Sequence, residues 1–362
     1  MNNRIFFLSP DNKNATGGVK QLYRQVDILN RNGYNAFILH KNIGHKSKFF
    51  MHETSIKYNS KIFNDIKYLL RLKKNTSKKK AIKLTFKKYL YDLISFCKSP
   101  FEIKIKDSDI LVFPEIYGTA INNVERKNIK IIFNQNCYYS FDHFSICDSV
   151  NSNPYLFNNT FATIVASEDA FSYMKFSFKD LNLFKLRLGV DENIFKFSEK
   201  KSKKIAFMPR KLEEDVVQVI NILKARNHLS DWEFVPIENK SEVEVAEILK
   251  ESTFFLSFNH REGFGLPPAE AMACGCIVIG YVGLGGLEYF SQEFSYKVPD
   301  RNIISFVKQI EFAVSEYNEN SKNIIEKGKK ASEFVLKNYN LKNEENDILM
   351  IWEQFKKQNL FV

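Results

Sequence analysis

The residues best suited to carry out chemistry follow a short apolar run, Phe254 to Phe258, in the second half of the chain. Two glutamates, Glu262 and Glu270, stand there with seven residues between them. Gly263 and Gly265 lie just after the first glutamate, and glycine lets a backbone turn tightly and approach a ligand closely. The pattern predicts a buried strand, a sharp turn and then a helix, with one carboxylate on each side of the turn.

The predicted helix spans Pro267 to Ala273. Two prolines suit its first turn, because the first N–H groups of a helix have no partner within it. The free N–H groups of Gly265, Leu266 and their neighbours should then bind an anion such as a diphosphate. One glutamate would reach a sugar hydroxyl and the other would accept two hydrogen bonds from a ribose diol. The alternative is a sharp loop and a helix cap with two surface acids.

The elements that must position these residues alternate between strands and helices. The chain begins with a β–loop–α–β unit, which consists of a strand at Arg4–Leu8, a polar loop, a helix at Val19–Asn32 and a strand at Asn35–Leu39. A second alternation of strands and helices starts at Lys204. The sequence predicts an α/β fold of two Rossmann-like domains, whose parallel sheets face a central cleft. The expected boundaries are 1–196, with a basic insertion at about 45–105, 197–340, and a helix at 341–362 that returns to the first domain.

The charge of the chain suggests an anionic partner. The net charge is +11, and residues 67–88 contain ten lysines and arginines without one acid, interleaved with aromatic and aliphatic residues. Such a stretch either lies on an anionic membrane surface or forms a helix docked on its own domain. The five cysteines suggest no metal site or disulfide framework, and we expect neither a signal peptide nor a membrane-spanning segment. These features fit a protein of the reducing cytoplasm. The basic segment adds a peripheral position on the inner face of the plasma membrane as a second expectation.

The segment from Glu262 to Glu270 resembles the E-x7-E region of GT-B glycosyltransferases, in particular the retaining family 4 group. Three further stretches resemble that family: the Gly-rich loop and helix from Thr16, the segment Leu188–Phe195, and the loop Gly280–Glu288. The resemblance covers most of the chain outside residues 45–105. It implies a GT-B fold with an acceptor-binding first domain and a nucleotide-sugar-binding second domain.

The resemblance also implies roles for individual residues. Glu262 would bind sugar hydroxyls and assist the reacting centre, and Glu270 would hold the ribose. The backbone of Gly263, Phe264, Gly265 and Leu266 would contact the sugar and the phosphates. In the first domain, Gly17 and Gly18 would approach the phosphates or the acceptor.

Two departures from the family pattern leave alternatives open. The second-domain strand ends in Pro209-Arg210-Lys211, so Arg210 is expected to take the phosphate role, while Lys211 is either a second phosphate ligand or an exposed turn residue. In place of the histidine that many relatives have after a first-domain strand, this chain has Gln135 and Asn136. They either donate to the sugar or cap the strand end. His260 and Arg261 are further donor-site candidates.

By this resemblance the chain would transfer a sugar from a UDP, GDP, dTDP or CMP donor to a glycan or a lipid-linked glycan, with retention. Capsule or lipopolysaccharide synthesis is the expected setting. No acidic cluster in a suitable loop demands a metal, and we expect no metal, cofactor or nucleic-acid partner. The alternatives are a nucleotide-sugar epimerase or hydrolase of the same architecture, and a non-catalytic glycan-binding protein.

Overall fold

A computed structural model describes residues 3–12, 17–74, 84–91, 93, 99–142, 144–146, 148, 149 and 152–361. The chain forms two compact units. The first unit comprises Met1–Ala166, Ala170–Leu186 and Glu345–Val362, and the second comprises Ser167–Asp169 and Arg187–Glu344. The main boundary between the two units thus lies at 186–187, whereas the sequence pattern predicted it at 196.

The first unit is built on a parallel sheet with helices on its faces. Its strands are β1 (Arg4–Leu8), β2 (Asn35–His40), β3 (Ile56–Tyr58), β4 (Ile110–Pro114), β5 (Ile129–Asn134), β6 (Thr160–Val165) and β7 (Leu183–Lys185). Its main helices are α1 (Gly17–Arg31), α2 (Ser60–Lys74) and α3 (Glu168–Ser177, with Ala170–Ser177 in this unit), together with a 3-10 helix at Glu115–Asn123. The strand order is β3-β2-β1-β4-β5-β6-β7. This is the order of a doubly wound parallel sheet, in which the strand order reverses between β1 and β4.

The end of the chain completes the core of the first unit. Helix α9 (Leu341–Lys357) places Trp352, which is fully buried, with its ring centroid 6.2 Å from that of Phe7 in β1. Phe355 packs edge-on against Phe161 and Phe184 of β6 and β7. These aromatic contacts fix residues 345–357 on this sheet, because burying large rings is strongly favourable.

The second unit repeats the design with a smaller parallel sheet. Its strands are β8 (Ser202–Phe207), β9 (Glu233–Pro236), β10 (Ser252–Glu262), β11 (Ile277–Leu284) and β12 (Ser295–Lys297). Its helices are α4 (Glu213–Arg226), α5 (Glu242–Glu251), α6 (Leu266–Ala273), α7 (Ile303–Glu319) and α8 (Ser321–Asn338). The strand order is β12-β11-β10-β8-β9, so β8, β10 and β11 are neighbours in the middle of the sheet.

The first part of the basic segment packs on the first unit, in line with the docked helix that was one of its two predicted roles. Residues 56–58 pair with β2 as an edge strand and α2 packs against the 3-10 helix, so this part is integral to the first unit. The stretch after β4 is the 3-10 helix, interrupted by Gly118 at a φ of +44°. Lys78, Lys79, Lys80 and Lys83 lie outside the described residues. Among the described helices, none is long and apolar enough to cross a membrane.

Candidate functional site

Three loops of the second unit leave its sheet at one edge. The pairing registers place Phe207 of β8 beside Leu256 of β10, and Glu262 of β10 beside Leu284 of β11. Because the strands are parallel, the segments that follow them, at 208–212, 263–265 and 285–288, emerge at the same carboxyl edge. This is the edge at which open α/β sheets bind ligands.

The turn before α6 requires glycine at several points. Gly265 has a φ of +85° and forms the N-cap of α6. A Cβ on Gly265 would lie 2.6 Å from Nδ2 of Asn259 and 2.8 Å from the hydroxyl oxygen of Tyr289. A Cβ on Gly285 would overlap the carbonyl oxygen of Gly263. The turn is therefore packed on two sides by buried groups, and its conformation is fixed before any ligand binds.

The backbone of this turn presents donors that have no acceptor. Among the described residues, none accepts a hydrogen bond from the N–H groups of Gly263, Phe264 or Gly265. The carbonyls are held on the other side, since the Tyr289 hydroxyl lies 2.9 Å from Phe264 O and 2.7 Å from Gly265 O. Buried N–H groups are rarely left unpaired, so three in succession indicate a place where a ligand supplies the acceptor.

The two helices that begin near this edge differ in charge. Helix α4 carries Glu213, Glu214 and Asp215 in its first turn, and Arg301 pairs with two of these acids. Helix α6 has no acidic residue in its first turn. Acids already neutralise the positive end of the α4 dipole, whereas the start of α6 remains suited to an anionic ligand.

Glu262 lies at the end of β10, where its carboxylate forms an ion pair with the Lys211 ammonium from the loop after β8. Lys211 is therefore half-buried and paired with Glu262 rather than an exposed turn residue, and its role as a second phosphate ligand stays a prediction. Arg210 beside it is exposed, and its guanidinium contacts no acid or acceptor within the described ranges. That leaves it available for an anion.

Glu270 lies on α6, half-buried, one helical turn beyond the glycine turn. The hydroxyl of Tyr289, which contacts the turn, is affected by the charges of both glutamates. Burial first, and then the charges of Glu262, Glu288 and further neighbours including Glu270, raise the pKa of Tyr289 well above its ordinary value. The hydroxyl therefore keeps its proton and remains a donor to the turn carbonyls.

The other predicted donor-site residues divide into two groups. His260 has Nδ1 2.9 Å from Asp300, and Arg261 is exposed with a φ of +48°. Leu266, the first residue of α6, is half-buried and Phe264 is buried, with ring centroids 5.1 and 5.2 Å from Tyr289 and Tyr339. For Phe264 only the backbone N–H remains for a ligand.

The predicted loop residues of the first unit meet at the carboxyl edge of its sheet. Gly17 begins α1, and Gln135 after β5 donates from Nε2 to the carbonyl of Gly18 at 3.2 Å. Asn136 accepts a hydrogen bond from the Tyr138 N–H at 3.1 Å, which makes its side chain a cap for the following 3-10 turn. Asn136 therefore caps the 3-10 turn and not the strand end, and Gln135 is tied to the start of α1. A hydrogen bond from either side chain to the sugar stays a prediction.

Glu115 supports this arrangement, a role different from the contact with the acceptor that its loop position suggested. It follows β4, is almost fully buried, and accepts the backbone N–H of Gln135 at 3.0 Å. Burial raises the pKa of Glu115 to about 7, against three backbone hydrogen bonds that lower it. The local sequence does not predict this hydrogen bond, because the bond depends on β4 and β5 being neighbours in the sheet.

We expect Glu115 to make stability pH-dependent. Its folded pKa of about 7 lies above the ordinary 4.5, so its contribution is fully present below pH 4.5 and is lost as the pH rises toward 7. The loss is on the order of 3 kcal/mol at most. Urea unfolding at pH 5 and pH 7.5 should show a smaller pH difference for Glu115→Gln than for wild type. Equal differences would contradict this assignment.

One cluster in the first unit has side chains of the kind that bind metals. Asp11, His40 and His45 offer ligand atoms within 4.8 Å of one another. Both nitrogens of His40 are already engaged, Nδ1 at 2.8 Å from Asp11 and Nε2 at 2.6 Å from the Tyr23 hydroxyl. The hydrogen-bond chain is complete without an ion, and it ties the end of β2 to the loop after β1.

Comparisons with known proteins agree with this architecture. Residues 233–331 match the family described as glycosyl transferases group 1, and this range contains Glu262, Glu270 and the turn between them. The alpha-1,6-glucosyltransferase of Actinobacillus pleuropneumoniae serotype 7 is 30% identical over 192 residues. The match covers 50% of this chain and 55% of that relative, little more than half of its length.

Solved structures resemble nearly the whole chain. Sucrose-phosphate synthase from Thermosynechococcus elongatus has a TM-score of 0.69 at 12% identity, covering 98% of this chain and 100% of that one. HepE of Anabaena, in complex with UDP and glucose, has a TM-score of 0.62 at 13% identity, covering 97% and 100%. TarM has a TM-score of 0.64 at 13% identity, covering 100% and 99%.

The predicted fold is confirmed: the chain has the GT-B fold, with two units built on parallel sheets. Residues 233–331 of its second unit match the glycosyl transferases group 1 family, and these findings support an enzyme of the glycosyltransferase class.

Proposed function

We propose that this chain transfers a glycosyl group from a nucleoside diphosphate sugar to a glycan or lipid-linked glycan. The observation that carries the proposal is the turn at 263–265. Its three successive N–H groups lack an acceptor among the described residues, lie at the start of a helix without acids in its first turn, and are flanked by Glu262 and Glu270. Anion-binding backbone beside two carboxylates suits a diphosphate joined to two sugars.

The proposed mechanism uses these groups to stabilise opposite charges. Negative charge grows on the departing diphosphate, where the start of α6 and the exposed Arg210 guanidinium would stabilise it. Positive charge grows at the anomeric carbon, and the Glu262 carboxylate would stabilise it while accepting a sugar hydroxyl. Glu270 would hold the ribose, and Lys211 would orient the Glu262 carboxylate through their ion pair.

We propose further that the reaction retains the anomeric configuration and needs no metal. In this scheme the leaving phosphate takes the proton of the acceptor. One support is the E-x7-E spacing, which resembles that of the retaining family. The other is the ion pair of Glu262 with Lys211, which suits a positioning role for the carboxylate rather than the role of a general base.

UDP-glucose is the donor that we propose first. The support is indirect: one relative is named as an alpha-1,6-glucosyltransferase, and HepE was solved with UDP-glucose. By the family resemblance, the proposed acceptor is a capsule or lipopolysaccharide glycan. The proposed place of reaction is the cytoplasmic face of the membrane.

A thermal-shift panel tests the donor site. Wild type and Glu270→Ala are heated with UDP, GDP, dTDP and CMP and with their sugar conjugates. A ligand that binds only the folded state raises Tm. At a ligand concentration of 100 times Kd, the free energy of unfolding increases by about 2.7 kcal/mol. We expect a shift with UDP and UDP-glucose that shrinks in Glu270→Ala. No shift with any nucleotide would contradict the proposal.

The two alternatives predict different products. An epimerase or hydrolase of this architecture would consume the nucleotide sugar without an acceptor, whereas a transferase consumes it only slowly until the acceptor is added. A non-catalytic glycan-binding protein would retain glycan binding in Glu270→Ala and would release no nucleotide. The ligand-ready turn at 263–265 favours the transferase over the binding protein.

We also propose that the basic segment contacts an anionic membrane. Residues 84–91 are helical, and they expose Phe86 and Tyr89, each 64% accessible, beside the exposed Lys87. Lysines with adjacent exposed aromatic rings suit the headgroup region of anionic lipid. Within the described part of the segment, Lys73 and Lys88 are instead paired with Asp148 and Asp65.

Replacing six lysines of the segment by Gln should weaken binding to phosphatidylserine vesicles by at least about tenfold, since each lysine near such a surface contributes about 1 kcal/mol. The lysines are Lys67, Lys78, Lys79, Lys80, Lys83 and Lys87. The matched control replaces six exposed lysines of the second unit, namely Lys224, Lys297, Lys308, Lys322, Lys329 and Lys337. Vesicle sedimentation in which both variants bind like wild type would rule the membrane surface out.

A further inference from the structure

Asn259 lies in β10, three residues before Glu262, and it is 3% exposed. Neither polar atom of its amide has a hydrogen-bond partner among the described residues, and Nδ2 is fully buried. The backbone of Asn259 is fixed by pairing with Val282 of β11, so the position of the side chain is set by the sheet.

The amide of Asn259 is packed between two glycines at the carboxyl edge. A Cβ on Gly265 would lie 2.6 Å from Nδ2, and a Cβ on Gly283 would lie 2.7 Å from the Cβ of Asn259. Gly265 is the N-cap of α6 and Gly283 has a φ of +71°. The unpartnered amide is therefore aimed at the helix start where the turn N–H groups also lack acceptors.

Neighbouring buried polar groups are satisfied, which sets Asn259 apart. The Ser257 hydroxyl, two residues earlier in β10, donates to Tyr281 O at 2.7 Å. The Tyr289 hydroxyl lies 2.7 Å from Gly265 O. A buried amide without partners destabilises a folded protein, whereas leucine of similar size would fill the same place at little cost. An amide at this position needs a reason outside the unliganded fold.

We propose that the Asn259 amide is a further binding group of the donor site, which donates a hydrogen bond to a diphosphate oxygen of the nucleotide sugar at the start of α6. The inference rests on the proposed function, since it needs a nucleotide ligand. A neutral amide adds a directed donor to the N–H groups of 263–265 without changing the charge of the site. Binding removes the cost of the unpaired amide, so part of the affinity comes from relief of that cost.

The test compares stability and affinity in Asn259→Leu and Asn259→Asp. Calorimetric titration with UDP should show at least a tenfold weaker Kd for the Leu variant, while its Tm without ligand is equal to or above that of wild type. The Asp variant, whose carboxylate repels a diphosphate, should bind more weakly still. The matched control is Ser257→Ala, which removes a satisfied buried hydroxyl and should lower Tm with little change in Kd.

The outcomes separate the two levels of the argument. If wild type binds UDP and Asn259→Leu binds it equally well, this inference is overturned and the proposed function stands. If the Leu variant loses Tm and affinity together, as the Ser257→Ala control loses Tm, the amide is a structural support and the inference is again overturned. If wild type binds none of the nucleotides, both proposals fail together.

Discussion

Replacing Glu262 with Gln is expected to lower kcat for sugar transfer by about 10²- to 10³-fold, the range found when one group that stabilises transition-state charge is removed. The carboxylate would lose its charge facing the anomeric carbon, and Lys211 would lose its partner. KM for the donor should change less than kcat, because the lost interaction strengthens in the transition state. Steady-state kinetics with the donor at saturating acceptor measure both constants.

The control for Glu262→Gln is Glu316→Gln, which breaks a matched ion pair in the same unit. Lys211 and Glu262 are 27% and 24% exposed, and Lys327 and Glu316 are both 26% exposed. Ion pairs with this exposure contribute about 0–1 kcal/mol, so both variants should unfold within a few degrees of wild type. A Glu262→Gln enzyme as active as Glu316→Gln would remove Glu262 from the mechanism.

Replacing Gly265 with Ala is expected to abolish nucleotide binding and to destabilise the second unit by about 2–4 kcal/mol. The positive φ of +85° alone costs a non-glycine residue about 1–2 kcal/mol. The added methyl group also meets Asn259 and Tyr289, both buried, and moving them would displace the turn whose N–H groups bind the diphosphate. Denaturant unfolding and calorimetric titration with UDP measure the two effects.

Gly33→Ala separates the backbone cost from the packing cost. Gly33 has a φ of +80°, and nothing lies within 4 Å of the position where its Cβ would be. This variant should lose only the backbone contribution, about 1 kcal/mol, and should bind nucleotide like wild type. If Gly265→Ala matched Gly33→Ala in both stability and affinity, the turn would not be the rigid ligand site described above.

Elements with strong local signals were predictable from the sequence. The apolar spacing of residues 213–226 predicts a helix, and Ser241 three residues before Glu244 predicts a capping box. The structure has both, as helix α4 and at the start of α5. Both follow from periodicity and from side chains three or four residues apart. The parallel sheets followed likewise from the alternation of strands and helices.

What the sequence did not predict depends on which strands are neighbours. The Lys211–Glu262 ion pair requires β8 beside β10, and the support of Gln135 by Glu115 requires β4 beside β5. Strand β3 is only three residues long and lies in a charged stretch, so no periodicity marks it. Asn259 and Tyr289 gain their significance only from packing against Gly265, which lies six residues from Asn259 and 24 from Tyr289 in the chain.

The most direct test of the central claim is mass spectrometry of acceptors after incubation with UDP-glucose. A bacterial oligosaccharide or lipid-linked glycan fraction is treated with wild type, Glu262→Gln and Glu316→Gln. The proposal predicts acceptors heavier by one hexose with wild type and Glu316→Gln, loss of that product with Glu262→Gln, and UDP released only as acceptor is consumed. Release of UDP at an unchanged rate without acceptor, or no product with any of the four nucleotide-sugar classes, would contradict it.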